Sequence, residues 1–279
     1  MPAVAVPSYS PPELPLAEGR LWCELIERRC GLHFPESQWR YLRRRLWERM
    51  ALASISTYSQ YYRVIAEGGR PEEWRSLLED LLNPETSFFR HQPFFRALTG
   101  ILQDWRGAGP RKLWSAGCST GEEAYSMAMT AAAAGAAAEV EGTDLNPRVL
   151  ERARTGIFSA RQLAAVPLAW KARFLKETSK PGEWQVAGAL RARVKFETFQ
   201  LLDSGTYPKR EFDAIFCCNV LIYFSPAARQ RAALGLLGRL KPGGYLFIAP
   251  GETAGLSMPG AELTRVENTQ VWRRSMSAK

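Results

Sequence analysis

The segment Leu113-Trp-Ser-Ala-Gly-Cys-Ser-Thr-Gly-Glu-Glu-Ala-Tyr-Ser-Met-Ala-Met129 constrains this chain more than any other stretch. A short apolar run meets a turn of small residues, and a strong helix-former pattern follows at once. That order predicts a strand, a glycine loop and a helix start, the place where open α/β sheets hold nucleotide-like ligands. Gly117 and Gly121 let the backbone approach a ligand closely. The turn lacks the Lys-Ser/Thr ending of a phosphate-binding loop, and Glu122 and Glu123 stand where a pyrophosphate would go. Two carboxylates repel an anion and attract a cation. S-adenosylmethionine (SAM), with its α-ammonium and sulfonium, meets that requirement, whereas NAD and ATP do not.

The alanine-rich stretch from Glu122 to about Ala138 predicts a helix leading into a second parallel strand that ends at Asp144. A carboxylate there either accepts hydrogen bonds from both ribose hydroxyls of an adenosyl group or caps a helix beginning near Pro147. With the glycine loop in front of it, ribose binding is the better reading. Glu211 to Phe224 reads as a buried strand ending in polar residues, followed by a helix from about Pro226 to Leu240. Pro242-Gly-Gly244 then forms a turn into the apolar strand ending at Ile248, and Leu263–Val266 with Gln270–Arg273 form a closing hairpin around Glu267-Asn-Thr. The predicted fold class is α/β: a Rossmann-like SAM-dependent methyltransferase sheet with a terminal antiparallel hairpin, a small β insertion and an N-terminal helical domain.

Four blocks stand out together: Thr86-Ser-Phe-Phe-Arg90, Ala116 to Ser126, Gly142 to Leu150 with Ala153 to Phe158, and Phe212 to Phe224. In these the chain resembles the CheR family of chemotaxis receptor glutamate methyltransferases. The resemblance spans most of residues 20–275. It implies methyl transfer from SAM to glutamate side chains of a methyl-accepting chemoreceptor, giving methyl esters and S-adenosylhomocysteine. Glutamate is already ionised at neutral pH, with a pKa of about 4.3, so no strong general base is required. The absence of a catalytic His or Cys from the motifs agrees with that. The rivals are a SAM-dependent RNA or small-molecule methyltransferase and a SAM-binding regulatory adaptor.

By the same resemblance, Arg90 stands beside the SAM methyl group and orients the incoming carboxylate, and Tyr223 lines the methyl path. Thr86 meets the methionine carboxylate and Glu123 the ammonium, Glu122 being the weaker candidate. Asp144 takes the ribose, Gln200 and Leu201 border the adenine, and Asn219 with Val220 lies under the ligand. Arg90 has a plainer reading as a salt bridge that holds the linker. Two positions depart from the family pattern: Pro84 occupies the place of an asparagine two residues before the threonine, next to Asn83, and Cys218 that of an arginine.

Composition sets outer limits. The 279 residues, 46% hydrophobic and 23% charged, suit a soluble catalytic domain with a smaller companion. No apolar run is long enough to span a membrane, and membrane insertion is not expected. The proline-rich start reads as a flexible tail over 1–17 and not as a signal peptide. Five cysteines without a spacing pattern, and only two histidines, predict neither a disulfide framework nor a metal site, and fit a reducing cytoplasm. The net charge of +9 calls for an acidic partner. Nucleic acid is disfavoured, because no aromatic platform threads the basic residues. A monomer is expected.

Residues 18–82 read as a helical domain and 83–279 as the methyltransferase domain. In Gln38–Met50, Trp39, Leu42, Leu46 and Met50 share one helical face. Arg40 and Arg44 point away from it, while Arg43, Arg45 and Arg49 flank it. This face is either solvated or, as the resemblance implies, the surface that meets the receptor through Arg40, Arg43, Arg44 and Arg45. Strand-like alternation within about 170–198 matches the family's β insertion, which in some members docks a receptor's C-terminal pentapeptide through a glycine-rich turn. Here Lys176–Glu183 holds a single glycine, so pentapeptide tethering is not expected.

Overall fold

The computed structural model describes residues 11–82, 84–105, 107, 109–203 and 210–276. Residues 1–10 of the expected tail, and Asn83, lie outside them. The chain divides into two units. One holds the N-terminal helices together with Tyr223–Ser225; the other runs from Pro84 to Ile222 and resumes at Pro226. No helix among the described residues is long and apolar enough to cross a membrane.

The helical unit contains α1 (Leu16–Cys30), α2 (Trp39–Leu52), α3 (Tyr58–Ala66) and α4 (Pro71–Leu81). Helix α1 already begins inside the stretch read as tail, and Gly31 ends it in the left-handed conformation (φ 81°) that favours glycine. Thr57 caps α3 by accepting the Gln60 N–H, and Pro71 opens α4, where a missing N–H costs nothing. The core forms around Trp22, Ile26, Leu42, Leu46, Met50 and Tyr61, all fully buried. Of the expected apolar stripe only Trp39 stays partly open. Arg49 forms a two-pronged pair with Glu73 (2.9 and 2.7 Å), and Tyr61 donates to the same carboxylate at 2.8 Å. One arginine of the basic helix is therefore spent on holding α2 to α4.

The second unit opens with α5 (Gln92–Asp104) and continues through β1 (Arg111–Ala116), α6 (Glu122–Ala133), β2 (Ala138–Asp144) and α7 (Pro147–Thr155). There follow β3 (Ile157–Ser159), α8 (Leu168–Phe174), β4 (Leu175–Glu177), β5 (Glu183–Val186), α9 (Gly188–Arg191) and β6 (Val194–Thr198). The unit closes with β7 (Phe212–Cys217), α10 (Pro226–Leu237), β8 (Leu240–Ile248), β9 (Ala261–Val266) and β10 (Thr269–Arg274). The main sheet has seven strands in the order β6-β2-β1-β7-β8-β10-β9. The pairs β6/β2, β2/β1, β1/β7 and β7/β8 are parallel, and β10 runs antiparallel to both β8 and β9. Every residue of β7 is buried, as a central parallel strand covered on both faces requires.

Three details differ from the sequence reading. Helix α6 stops at Ala133, because Gly135 turns left-handed (φ 71°) and the Ala136 N–H folds back onto the Ala131 carbonyl. Pro242-Gly-Gly244 is an irregularity inside β8, not a turn before it: Leu240 pairs with Phe212 and Tyr245 with Ala214. A Cβ on Gly244 would lie 2.9 Å from the Asp213 carbonyl oxygen, so only glycine passes there. The small sheet, ordered β3-β5-β4, recruits Ile157–Ser159 from before the expected insertion. Val194–Thr198 does not belong to that sheet; it is the edge strand of the main one, paired in register with β2. Alternation marks a strand but not its partner, which is why the insertion is misplaced in sequence.

Candidate active site

Strand order reverses between β1 and β7: the chain runs outward through β2 and β6, then returns to build β7 and β8 on the other side. A cleft opens at such a point, at the carboxyl ends of the strands. The loop after β1 lies there. Its backbone is anchored by Gly117 and Cys118 N–H groups, both donating to the Thr143 carbonyl (2.7 and 2.8 Å). Gly117 is left-handed (φ 85°), and a Cβ on it would strike the Val220 side chain at 2.3 Å. The close approach that glycine permits is thus to the loop after β7.

The two carboxylates that follow have different fates. Glu122 is 1% exposed and fully used, accepting from Gln162 Nε2 (2.9 Å) and Thr120 Oγ1 (2.6 Å). Glu123 keeps part of its surface open and accepts from the buried Ser115 hydroxyl at 2.6 Å. Desolvation, with repulsion from Glu252, outweighs that hydrogen bond and the Arg90 charge, and pushes the Glu123 carboxyl up to about 7. A carboxylate raised by burial gains from any further positive charge, such as a ligand ammonium.

Asp144 ends β2 with each oxygen holding one backbone N–H at 2.9 Å, Ser119 on one side and Asn146 on the other. The cap of α7 is Asn146, which accepts from Arg148 N–H, so the capping role considered for Asp144 belongs to its neighbour. Burial raises the Asp144 pKa despite these bonds. Gln200 and Leu201 follow β6 by way of Phe199: Thr198 pairs with Asp144 in register, and the Phe199 N–H donates to the Asp144 carbonyl at 3.0 Å.

Beyond β7, Asn219 adopts a left-handed backbone (φ 61°) and its Oδ1 lies 2.7 Å from His91 Nε2. Its N–H donates to Glu252 at 2.7 Å, and the Ile222 N–H donates to the same carboxylate at 3.0 Å. Glu252 is 1% exposed; burial raises its pKa against the pull of these N–H groups. Arg90 donates to the Glu85 carbonyl at 3.0 Å and stays 37% exposed, its guanidinium charge felt at Glu123. The turn that carries it is fixed by Ser126, whose hydroxyl accepts from Phe89 N–H (3.1 Å) while donating to the Glu122 carbonyl (2.6 Å). Thr86 lies half-buried in the same segment, and the Pro84 carbonyl accepts the Ser119 hydroxyl at 2.8 Å.

One unit therefore brings together Thr86, Arg90, Glu123, Asp144, Gln200, Leu201, Asn219 and Val220 on the ends of neighbouring elements. Tyr223 groups with the helical unit, where its carbonyl accepts the His33 N–H at 2.8 Å. The assigned arginines lie on α2 in unequal states. Arg40 is exposed and Arg43 half-buried. Arg44 and Arg45 share Glu48 (2.8 and 3.0 Å), and Arg45 also covers the Tyr41 ring. Sequence reasoning missed His91, Ser126 and Glu252. His91 carried a faint signal as the neighbour of Arg90; Glu252, after an apolar strand far along the chain, carried none.

Positive backbone angles at the non-glycine residues Phe89, Ser119 and Asn219 gather around this cleft. The chemistry of the donor set fits SAM: part-buried carboxylates for a cation and for hydroxyls, and glycine where two loops meet. Comparison with known proteins agrees. The family model "CheR methyltransferase, SAM binding domain" matches residues 84–268, and "CheR methyltransferase, all-alpha domain" matches 17–82. A probable biofilm formation methyltransferase, WspC of Pseudomonas aeruginosa, is 30% identical over 91% of this chain, which spans 61% of that protein's length. Chemotaxis protein methyltransferases of Klebsiella aerogenes and Escherichia coli are 32% and 31% identical, covering 86% and 82% of this chain and 84% and 82% of their own. A donor set that suits a cationic adenosyl ligand, on a chain matched almost end to end by both domain models, agrees with what those models show: this protein is a SAM-dependent methyltransferase of the CheR family.

Proposed function

We propose that the protein transfers the methyl group of SAM to glutamate side chains of methyl-accepting chemoreceptors, forming methyl esters and S-adenosylhomocysteine. The observation that supports the reading is the pair of part-open carboxylates, Glu123 on the Ser115 hydroxyl and Asp144 on the Ser119 N–H, on a chain that both CheR domain models match. Glu123 and Asp144 hold the cofactor, with Gln200 and Leu201 at the adenine and Thr86 at the methionine carboxylate. SAM supplies an electrophilic methyl group next to a sulfonium. Arg90 orients the substrate carboxylate by a charged hydrogen bond, and Tyr223 lines its approach. Too strong a grip would stabilise the ground state, so Arg90 acts by positioning. The apolar anchors on either side of Arg90, Phe88, Phe89, Phe94 and Phe95, are all buried and hold the turn that carries it.

The receptor is met through the arginine face of α2, without pentapeptide tethering. The turn between β4 and β5 supports this: Thr178, Lys180 and Glu183 close it by mutual hydrogen bonds, with Gly182 its only glycine. The protein would act in the cytoplasm as a monomer. Transfer of tritium from methyl-labelled SAM to receptor membranes tests the reading. Base should release the label as methanol, because esters are base-labile. Label that survives base would point to methylated amines or nucleobases, and SAM binding without any transfer would point to an adaptor.

A further inference from the structure

We propose that Glu252 and His91 are positioning residues that together hold Asn219 in its left-handed conformation and so fix the face that the Asn219–Val220 turn presents to the cofactor. The inference rests on the reading that this cleft binds SAM. Asn219 follows a strand buried along its whole length, so its amino side is rigid; its turn must be held from elsewhere. Glu252 does so from below. Its two oxygens take the Asn219 and Ile222 N–H groups at 2.7 and 3.0 Å, and the Val220 and Leu221 N–H groups face it as well. Among the described residues Glu252 makes no ion pair, so these backbone donors are what compensates a buried carboxylate.

His91 acts on the side chain. Asn219 Oδ1 accepts from His91 Nε2 at 2.7 Å, which assigns the proton to Nε2 and leaves the Asn219 amide NH2 directed elsewhere. His91 follows Arg90 in the chain, so the same turn that carries the substrate-orienting guanidinium also sets the cofactor-side asparagine. Glu252 has a second consequence. Its charge is among the causes that raise Glu123, so removing it should let Glu123 ionise at lower pH.

Binding of S-adenosylhomocysteine to the whole protein, followed by calorimetry between pH 5 and 8, tests the inference. His91→Leu should weaken binding by about fivefold, the loss of one hydrogen bond. His91→Gln, whose Nε2 can donate from nearly the same place, should restore most of it. Glu252→Gln should weaken binding at neutral pH and move the acid limb of the profile to lower pH. If Glu252→Gln does not fold, the two His91 variants decide alone. Equal binding by His91→Leu and wild type, or His91→Gln no better than His91→Leu, would overturn the proposal, as would undiminished binding by folded Glu252→Gln at neutral pH. Failure of the wild type itself to bind would instead defeat the reading of the cleft.

Discussion

At the scale of single residues, the proposed cofactor site rests on carboxylates whose burial raises their pKa. Glu123 is the clearest, because it is pushed up to about 7 and keeps an open surface. An ammonium ligand requires its ionised form. Lowering the pH from 7 to 5.5 should therefore cut SAM affinity by about fifteenfold, since the ionised fraction falls by about that factor and the ligand's own ammonium stays protonated throughout. The raised pKa of Asp144 works in the same direction. Glu123→Gln should bind SAM more weakly at pH 7 and show a shallower slope. Wild-type affinity that is flat across this window would remove Glu123 from the ammonium site. Linkage adds a sign for stability. A carboxyl whose folded pKa is raised binds protons more tightly in the native state, so ligand-free protein should lose stability as pH rises from about 4.5 to about 7 through this group.

At the scale of elements, α2 shows how one helix divides its charges. Arg49 turns inward to Glu73, and Arg45 is held by Glu48 and Tyr41. Arg40 remains exposed, and Arg44, 67% exposed, rests on Glu48 alone among the described residues. These two carry the proposed receptor contact. Reversing both to Glu should raise the KM for receptor several-fold and leave SAM affinity unchanged; losing the Arg44–Glu48 pair itself costs only about 0.3–0.5 kcal/mol. Wild-type receptor binding should weaken as salt rises past about 0.15 M, where the screening length is about 8 Å. A peptide carrying a receptor's C-terminal pentapeptide should not compete at micromolar concentration. Indifference to the charge reversal, or micromolar binding of the peptide, would move the recognition surface to the small β3-β5-β4 sheet.

For the whole molecule, the cleft end of the sheet is balanced by an ionic anchor at the opposite end. Asp213 is 3% exposed and accepts from Arg111 (2.9 Å), Lys112 N–H and Lys241 (both 2.8 Å), tying the starts of β1, β7 and β8 together. Burial alone would raise its pKa, but these donors prevail and lower it. Asp213→Ala should cost about 3 kcal/mol, the low end for breaking a buried pair because Lys241 and Arg111 keep access to water. A depressed carboxyl stabilises above its unfolded pKa and loses that contribution as pH falls through the folded one. The difference between Asp213→Ala and wild type in urea unfolding should therefore shrink in acid. A mutant as stable as the wild type at pH 7 would show the anchor to be incidental.

The sequence by itself determined the identity of the elements and the sign of the ligand's charge. Apolar runs, glycine turns and the Glu122-Glu123 pair are local patterns, and local sterics and electrostatics act on them before any fold exists. The strand–loop–helix at Leu113–Met129, Asp144 at a strand end and the Leu263–Arg273 hairpin were legible for that reason. Tertiary structure alone decided which strand paired with which, and so returned Val194–Thr198 to the main sheet. It also decided which carboxylate of the Glu122-Glu123 pair stayed partly open, since burial and hydrogen-bond partners came from Gln162 and Ser115. The same holds for Glu252 and His91, drawn to Asn219 from distant positions in the chain. Desolvation and buried hydrogen bonding depend on what surrounds a group in space, and no spacing along the chain encodes that neighbourhood.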